Sequence, residues 1–170
     1  MKTLLKIAET EVSLGIDELQ SIVSYLADNE KNSAIFQQLA THKSATIRKE
    51  IAYKDNLTEE SVQLLLRDKD VAVLSNIVRS AAVKEIFSDE DFDYVVSRDN
   101  EELISDMLGS LDEYENLSDY SAALEKIIAL ENEKLTLIIA ESYNTPKKIL
   151  KKLLKHNDPD IVNAAKSSLE

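Results

Sequence analysis

Apolar residues recur along most of this chain at spacings of three and four, and they group into a unit that appears five times, at residues 39–52, 65–78, 95–108, 127–140 and 153–166. Such spacings place side chains on one face of an α-helix. The second unit shows the plan best. Thr58 stands as a cap ahead of Val62, Leu65 and Leu66, with Glu59 and Glu60 in the first turn, where carboxylates suit the positive end of the helix dipole. That helix is predicted to end near Asp68. A second helix over 71–80 carries Val73, Leu74, Ile77 and Val78, so the unit reads as two short antiparallel helices joined by a tight turn. Neither could bury its stripe alone, and the stripes ask for stacked neighbours.

Shifting this unit along the chain recovers the others. A shift of 88 lays Leu66 on Leu154, Asp70 on Asp158, Val73 on Ile161 and Leu74 on Val162. A shift back by 26 lays Asp70 on Ser44, Val73 on Ile47 and Ile77 on Ile51, while forward shifts of 30 and 62 lay Ile77 on Met107 and Ile139. Successive spacings are therefore 26, 30, 32 and 26, and drift of that size belongs in turns, where it leaves the stripes intact. Two starts are written explicitly in the last unit. Asn144-Thr145-Pro146 and Asn157-Asp158-Pro159 each supply a cap followed by proline at the first helical position.

The third unit begins with Ser88 and the acids Asp89, Glu90 and Asp91, then carries Phe92, Val95 and Val96 as the apolar side of one helix and Leu103, Ile104, Met107 and Leu108 on the next. The fourth is predicted over 118–130 and 134–142. Ahead of the repeats, 16–27 gives an amphipathic helix through Ile16, Leu19, Ile22, Val23 and Leu26. With 3–12 it reads as an N-terminal cap over the array's open edge. The expected organisation is one helical-repeat domain over 1–170, with a cap at 1–28 and units at 32–56, 57–81, 88–110, 118–142 and 144–170. The fold class is all-α, an α-solenoid of about five antiparallel helix pairs with an N-terminal capping helix.

The tail Asn144-Thr145-Pro146, Ile149-Leu150, Leu153-Leu154, Asn157-Asp158-Pro159-Asp160-Ile161-Val162 and Ala164-Ala165 resembles the leucine-rich repeat variant, a relative in shape of the HEAT and armadillo repeats. Residues 43–52 and 58–78 are weaker copies, and the matches cover about half the chain. The resemblance implies a right-handed superhelix. The third and fourth units depart from it in turn length and lack the proline. Some members of that family carry a cysteine cluster for iron and sulfur; this chain has no cysteine, so nothing of that kind transfers.

Composition supports helix. Only two glycines and two prolines interrupt 170 residues, and 44% of the residues are hydrophobic. The lack of cysteine removes disulfides and thiolate chemistry and suits a reducing compartment. The apolar patch Leu4, Leu5, Ile7 and Ala8 is too short for the core of a signal peptide, and no run approaches the roughly 18 apolar residues of a membrane span. A soluble, cytoplasmic protein is expected.

Charge is uneven. Residues 1–56 hold 7 basic and 8 acidic groups, 57–115 hold 5 and 16, and 116–170 hold 8 and 8, so the middle third carries nearly all of the net −12. A field of that sign disfavours nucleic acid and anionic membrane as partners.

Candidate chemistry is sparse. His42 and His156 share the column of Asp68, in the turn closing a unit's first helix, and are separated by several units. They are expected to act as a cation or donor at a helix end, not as metal ligands. Asp89, Glu90, Asp91 and Asp93 lack the glycine and spaced loop of an EF-hand, and no phosphate-binding glycine loop, serine elbow or paired histidine motif occurs. No cofactor is implied. Lys147, Lys148, Lys151, Lys152 and Lys155 form a basic stripe opposite Ile149, Leu150, Leu153 and Leu154.

The second helices of a solenoid line its concave side, so their polar positions are the candidates for contact. One column reads Tyr53, Arg79, Gly109, Glu141 and Ser167, and another Lys49, Ser75, Ser105, Leu137 and Asn163. Lys49, Tyr53, Ser75, Arg79, Asp106 and Glu141 form the candidate partner-binding set, tyrosine and arginine being frequent interface anchors. Neither column repeats Lys or Arg as a nucleic-acid groove would. The leading expectation is a non-catalytic protein-interaction module or scaffold that binds a protein or peptide. The alternative is an acidic inhibitor, an immunity protein or nucleic-acid mimic, presenting Asp89, Asp91, Glu101, Glu102 and Asp106 to a basic partner; a helical-repeat enzyme comes third.

Overall fold

The helical periodicity is realised as eleven α-helices among the residues that the computed structural model describes, 3–7 and 9–170. Residues 1, 2 and 8 of the expected N-terminal cap lie outside the described residues. The remainder of the cap corrects the uniformly helical expectation. Strands β1 (Thr3–Ile7) and β2 (Thr10–Leu14) form an antiparallel hairpin with Leu5 opposite Val12 and Lys6 opposite Glu11. The β-branched residues Thr3, Ile7, Thr10 and Val12 favour extended backbone, and unlike charges directly across a ladder support it. The described chain is otherwise all-α.

The chain divides into two compact units, Met1–Ile86 and Phe87–Glu170. The division falls between the second and third predicted repeat units.

In the first compact unit, the hairpin is followed by α1 (Ile16–Tyr25), α2 (Ser33–Ala40), α3 (Ala45–Ile51), α4 (Glu59–Leu66) and α5 (Val71–Ile77). Helices of seven to ten residues are marginal alone, so they depend on packing. The pairs α2–α3 and α4–α5 pack internally, α2 packs on α4, and α3 lies between α1 and α5. Each repeat therefore lays its first helix on the preceding first helix and its second on the preceding second. Phe36, Ile47, Ile51, Val62, Leu65, Val73 and Ile77 fill the space between the layers with no exposed surface.

The second compact unit contains α6 (Asp89–Ser97), α7 (Glu101–Leu108), α8 (Tyr120–Ile128), α9 (Glu133–Glu141), α10 (Lys147–Leu153) and α11 (Pro159–Ser167). The same alternation holds, with α9 between α7 and α11 and with α8 on α10. The long spacing of 32 is absorbed between α7 and α8, where a short 3-10 turn (Leu111–Glu113) is followed by Tyr114. This connection enters the core. Leu111 and Tyr114 are buried, and the Tyr114 ring stacks on Phe87 with centroids 4.2 Å apart.

Two kinds of joint link the helices of a pair. In the first, second and fifth pairs, a side chain in the turn accepts the backbone N–H two residues ahead: His42 Nδ1 from Ser44, Asp68 Oδ1 from Asp70 and His156 Nδ1 from Asp158, at 3.1, 2.9 and 3.1 Å. In the third and fourth pairs, a residue in the left-handed region makes the turn, Asp99 at φ 48° and Glu131 at φ 55°. The next residue, Asn100 or Asn132, then caps the second helix by accepting from Leu103 N–H or Leu135 N–H. This explains why those two pairs break the turn pattern of the others.

One predicted start is displaced. Helix α10 begins at Lys147, with Pro146 in extended backbone at the cap position and Thr145 outside the helix. Thr145 is buried and donates its hydroxyl to the Ile139 carbonyl at 2.6 Å, which anchors the turn to α9. At α11 the expected device is present: Pro159 opens the helix and Asp158 accepts from the N–H groups of Asp160 and Ile161.

Candidate functional site

Tyr53 directly follows the last cap residue of α3, and Arg79 directly follows that of α5. Because α3 and α5 pack together, these equivalent positions become neighbours. With Asp55, Asn76 and Ser80 they line a cleft of about 440 Å³. Its floor is cross-linked. Buried Asn76 donates from Nδ2 to the Lys49 carbonyl and accepts from Arg79 Nη2, both at 3.1 Å, so it ties α5 to α3 and aims the guanidinium. The buried Ser80 hydroxyl lies 3.0 Å from the Lys54 carbonyl oxygen and 3.2 Å from Asp55 Oδ1, which also accepts the Ala81 N–H at 2.9 Å. Tyr53 remains 66% exposed. A hydrogen-bonded polar floor thus lies beside an exposed aromatic ring and a guanidinium.

Two acids of the same compact unit, outside the lining of this cleft, are engaged by donors. Glu50 accepts from Gln20 Nε2 at 2.7 Å and Ser24 Oγ at 3.1 Å. Asp28 accepts the N–H groups of Asp55 and Asn56 at 2.7 and 2.9 Å. Desolvation works against its charge, yet those hydrogen bonds and the nearby Lys54 outweigh it and hold the carboxyl below its ordinary range. The Lys54 ammonium lies 3.1 Å from the Leu26 carbonyl and so satisfies the end of α1.

Of the six sequence-predicted contact residues, Tyr53 and Arg79 line the cleft; Lys49, exposed on α3, and Ser75, half-buried on α5, belong to the same compact unit. Asp106 and Glu141 lie in the other compact unit, on α7 and α9.

The proposed acidic patch has largely structural occupations. Asp91 is 1% exposed and forms a capping box, accepting from the Ser88 N–H and hydroxyl at 2.8 and 2.7 Å. It does not present a surface carboxylate, because the cap turns it inward. Asp89 accepts the Ser118 N–H at 3.1 Å, and the side-chain and backbone hydrogen bonds of Ser118 hold it below the ordinary carboxylate range. Glu101 accepts from Asn132 Nδ2 at 2.9 Å and Lys134 Nζ at 2.7 Å, and these contacts depress it likewise. Glu102 is exposed and Asp106 half-buried. The Lys147–Lys155 stripe is also partly engaged: Lys152 and Lys148 reach Glu125 of the preceding pair at 2.5 and 3.8 Å. Outside the stripe, Lys126 reaches Asp93 at 2.6 Å.

His42 and His156 occupy the helix-ending turns expected of them, with one correction. Each ring accepts a backbone N–H through Nδ1, so it serves as an acceptor where a cation or donor was expected. The more consequential member of that column is Asp68. It is buried and bound by Arg48 through Nε–Oδ2 at 2.5 Å and Nη2–Oδ1 at 2.9 Å, while Arg48 Nη1 donates to the carbonyls of His42 and Lys43 at 2.8 and 3.1 Å. This pair locks the first repeat to the second. Its signal was present in the sequence, since the column of Arg48 otherwise reads Leu74, Ile104, Thr136 and Val162. A lone arginine on a core stripe needs an acid opposite it.

Among the described residues, no cluster of three or more His, Asp or Glu side chains could hold a metal ion. Among the same residues, no helix is long and apolar enough to cross a membrane. The chain matches no protein-family model, no curated protein and no solved structure.

Proposed function

We propose that the chain is an α-solenoid of the HEAT and leucine-rich-repeat-variant kind that serves as a non-catalytic, cytoplasmic protein-interaction module. The layering of first helices on first and second on second within each compact unit supports this reading. The observation that carries it is the cleft in which Tyr53 and Arg79, equivalent positions of adjacent repeats, meet over the Asn76–Ser80 floor. Tyrosine and arginine are, with tryptophan, enriched among binding anchors, and Tyr53 is exposed without a core role. The use of Asp89, Asp91 and Glu101 in caps and inter-repeat contacts favours the scaffold over the acidic-inhibitor reading.

Affinity capture from the source cells tests the proposal. Alanine at both Tyr53 and Arg79 should weaken retention of the co-eluting protein by about 30-fold, corresponding to about 2 kcal/mol at an anchor, with the far-ultraviolet circular dichroism unchanged. Alanine at Tyr143, which is 91% exposed in the other compact unit, should leave retention intact. Equal retention by the double variant would refute the assignment of this cleft.

A further inference from the structure

We infer that the Phe87–Glu170 unit carries a second docking site, which takes an acidic peptide segment bearing both carboxylates and bulky apolar side chains. The site is a cleft of about 350 Å³ where the ends of α8 and α10 lie side by side. Ile128, Ala129 and Leu153 give it an apolar lining, with Leu153 buried, Ile128 half-buried and Ala129 exposed. Lys152 and Lys155 bring two positive charges to the same lining and Glu125 one negative charge. Glu125 is already engaged, by Lys152 at 2.5 Å and Lys148 at 3.8 Å. Lys155 is exposed and has no acid partner among the described residues, and α10 itself holds four lysines and no acid. The cleft therefore keeps an uncompensated positive charge in a chain whose net charge is −12.

His156 adds a donor. Its Nδ1 accepts the Asp158 N–H at 3.1 Å, which in the neutral ring places the hydrogen on Nε2. In the second pair the same turn position is Asp68, and Arg48 of the preceding pair covers it. The residue in the Arg48 column ahead of His156 is Thr136, whose hydroxyl donates to the Asn132 carbonyl at 2.9 Å. His156 thus keeps an N–H without an acceptor among the described residues, where Asp68 is fully spent. An ammonium and an imidazole N–H beside an apolar lining suit a carboxylate borne by an apolar segment. Small-molecule sites enclose most of their ligand in about 300 to 1,000 Å³. This cleft lies at the low end of that range with Ala129, Lys152 and Lys155 all exposed, so it suits part of a longer chain.

Fluorescence anisotropy of the intact chain with labelled peptides tests the site. In a glycine-serine background the peptides carry Leu-Glu-Leu-Glu, Leu-Lys-Leu-Lys or Ala-Glu-Ala-Glu. The first should bind saturably, about tenfold or more tightly than either of the others, and should weaken as salt rises. Lys155→Glu and His156→Asp should each weaken it by about tenfold. Aspartate at 156 keeps a turn acceptor, as Asp68 does, so the helical circular dichroism should be retained. Lys166→Glu makes the same charge change outside the lining and should cost less than about threefold. If either control peptide binds as tightly as the first, or the first shows no saturable binding, the inference is overturned. Equal losses from Lys155→Glu and Lys166→Glu would reduce the effect to net charge and overturn the site as well. Each of these outcomes leaves the cleft at Tyr53 to its own capture experiment.

Discussion

Replacing Asp68 with alanine is expected to destabilise the Met1–Ile86 unit by about 3 to 5 kcal/mol, the cost of leaving a buried charge without its partner. Arg48 and Asp68 are each only 8% exposed, so water cannot readily replace the lost carboxylate. The same substitution removes the acceptor for the Asp70 N–H and so loosens the turn that starts α5. Urea unfolding followed by circular dichroism measures the loss. Arg48→Leu combined with Asp68→Asn should recover about 2 kcal/mol of it, because leucine suits the column and asparagine retains the turn acceptor. If Asp68→Ala costs less than about 1 kcal/mol, the interlock has no such role.

The pair also fixes a pH dependence. Desolvation is the largest influence on Asp68 and opposes its charge, but the hydrogen bonds from Arg48 and the Asp70 N–H, together with the charge of Arg48, outweigh it and hold the carboxyl below its ordinary range. A folded-state value below the unfolded one contributes stability that is full above the ordinary carboxylate range and is lost as pH falls through the folded value. Wild type should therefore lose stability on acidification by more than Asp68→Asn, which lacks that titration.

Phe87→Ala should cost the Phe87–Glu170 unit about 3 to 5 kcal/mol, the range for emptying a buried aromatic site. Phe87 has no exposed surface and stacks on Tyr114, so its loss removes core area and the ring contact together. Tyr114 belongs to the long connection between α7 and α8, and the damage should extend to that segment. Hydrogen exchange should show protection falling through Leu111–Tyr114, whereas Phe87→Leu should keep most of it. Unchanged protection in the alanine variant would show that the connection is held by other contacts.

The helix pairs were legible because burying a narrow stripe requires apolar residues at fixed spacing, and the cap signals ahead of the stripes located Thr58, Ser88 and Asp158, which do accept backbone N–H groups. The hairpin at the N-terminus was less legible, since five-residue strands of mixed sequence carry little periodicity and depend on pairing across the turn. Asp91 read as one acid among several, yet the capping box turns its carboxylate inward. The joints at Asp99 and Glu131 were hidden because nothing marks a left-handed residue when it is not glycine. The cleft was half visible. Column alignment brought Tyr53 and Arg79 together, but Asn76 and Ser80 depend on side-chain hydrogen bonds between repeats, which sequence spacing does not display. Arg48 and Asp68 could have been found by looking for the one charge on an apolar column.

The central claim is that a partner lies on the cleft between α3 and α5. Its most direct test is a photo-reactive benzoylphenylalanine placed at residue 53 of the intact chain in its own cells, with the same group at residue 143 for comparison. Cross-linking to one partner protein from position 53, absent from position 143 and lost when Arg79 is also changed to glutamate, is the result predicted. No cross-link from position 53, or the same products from both positions, would contradict it.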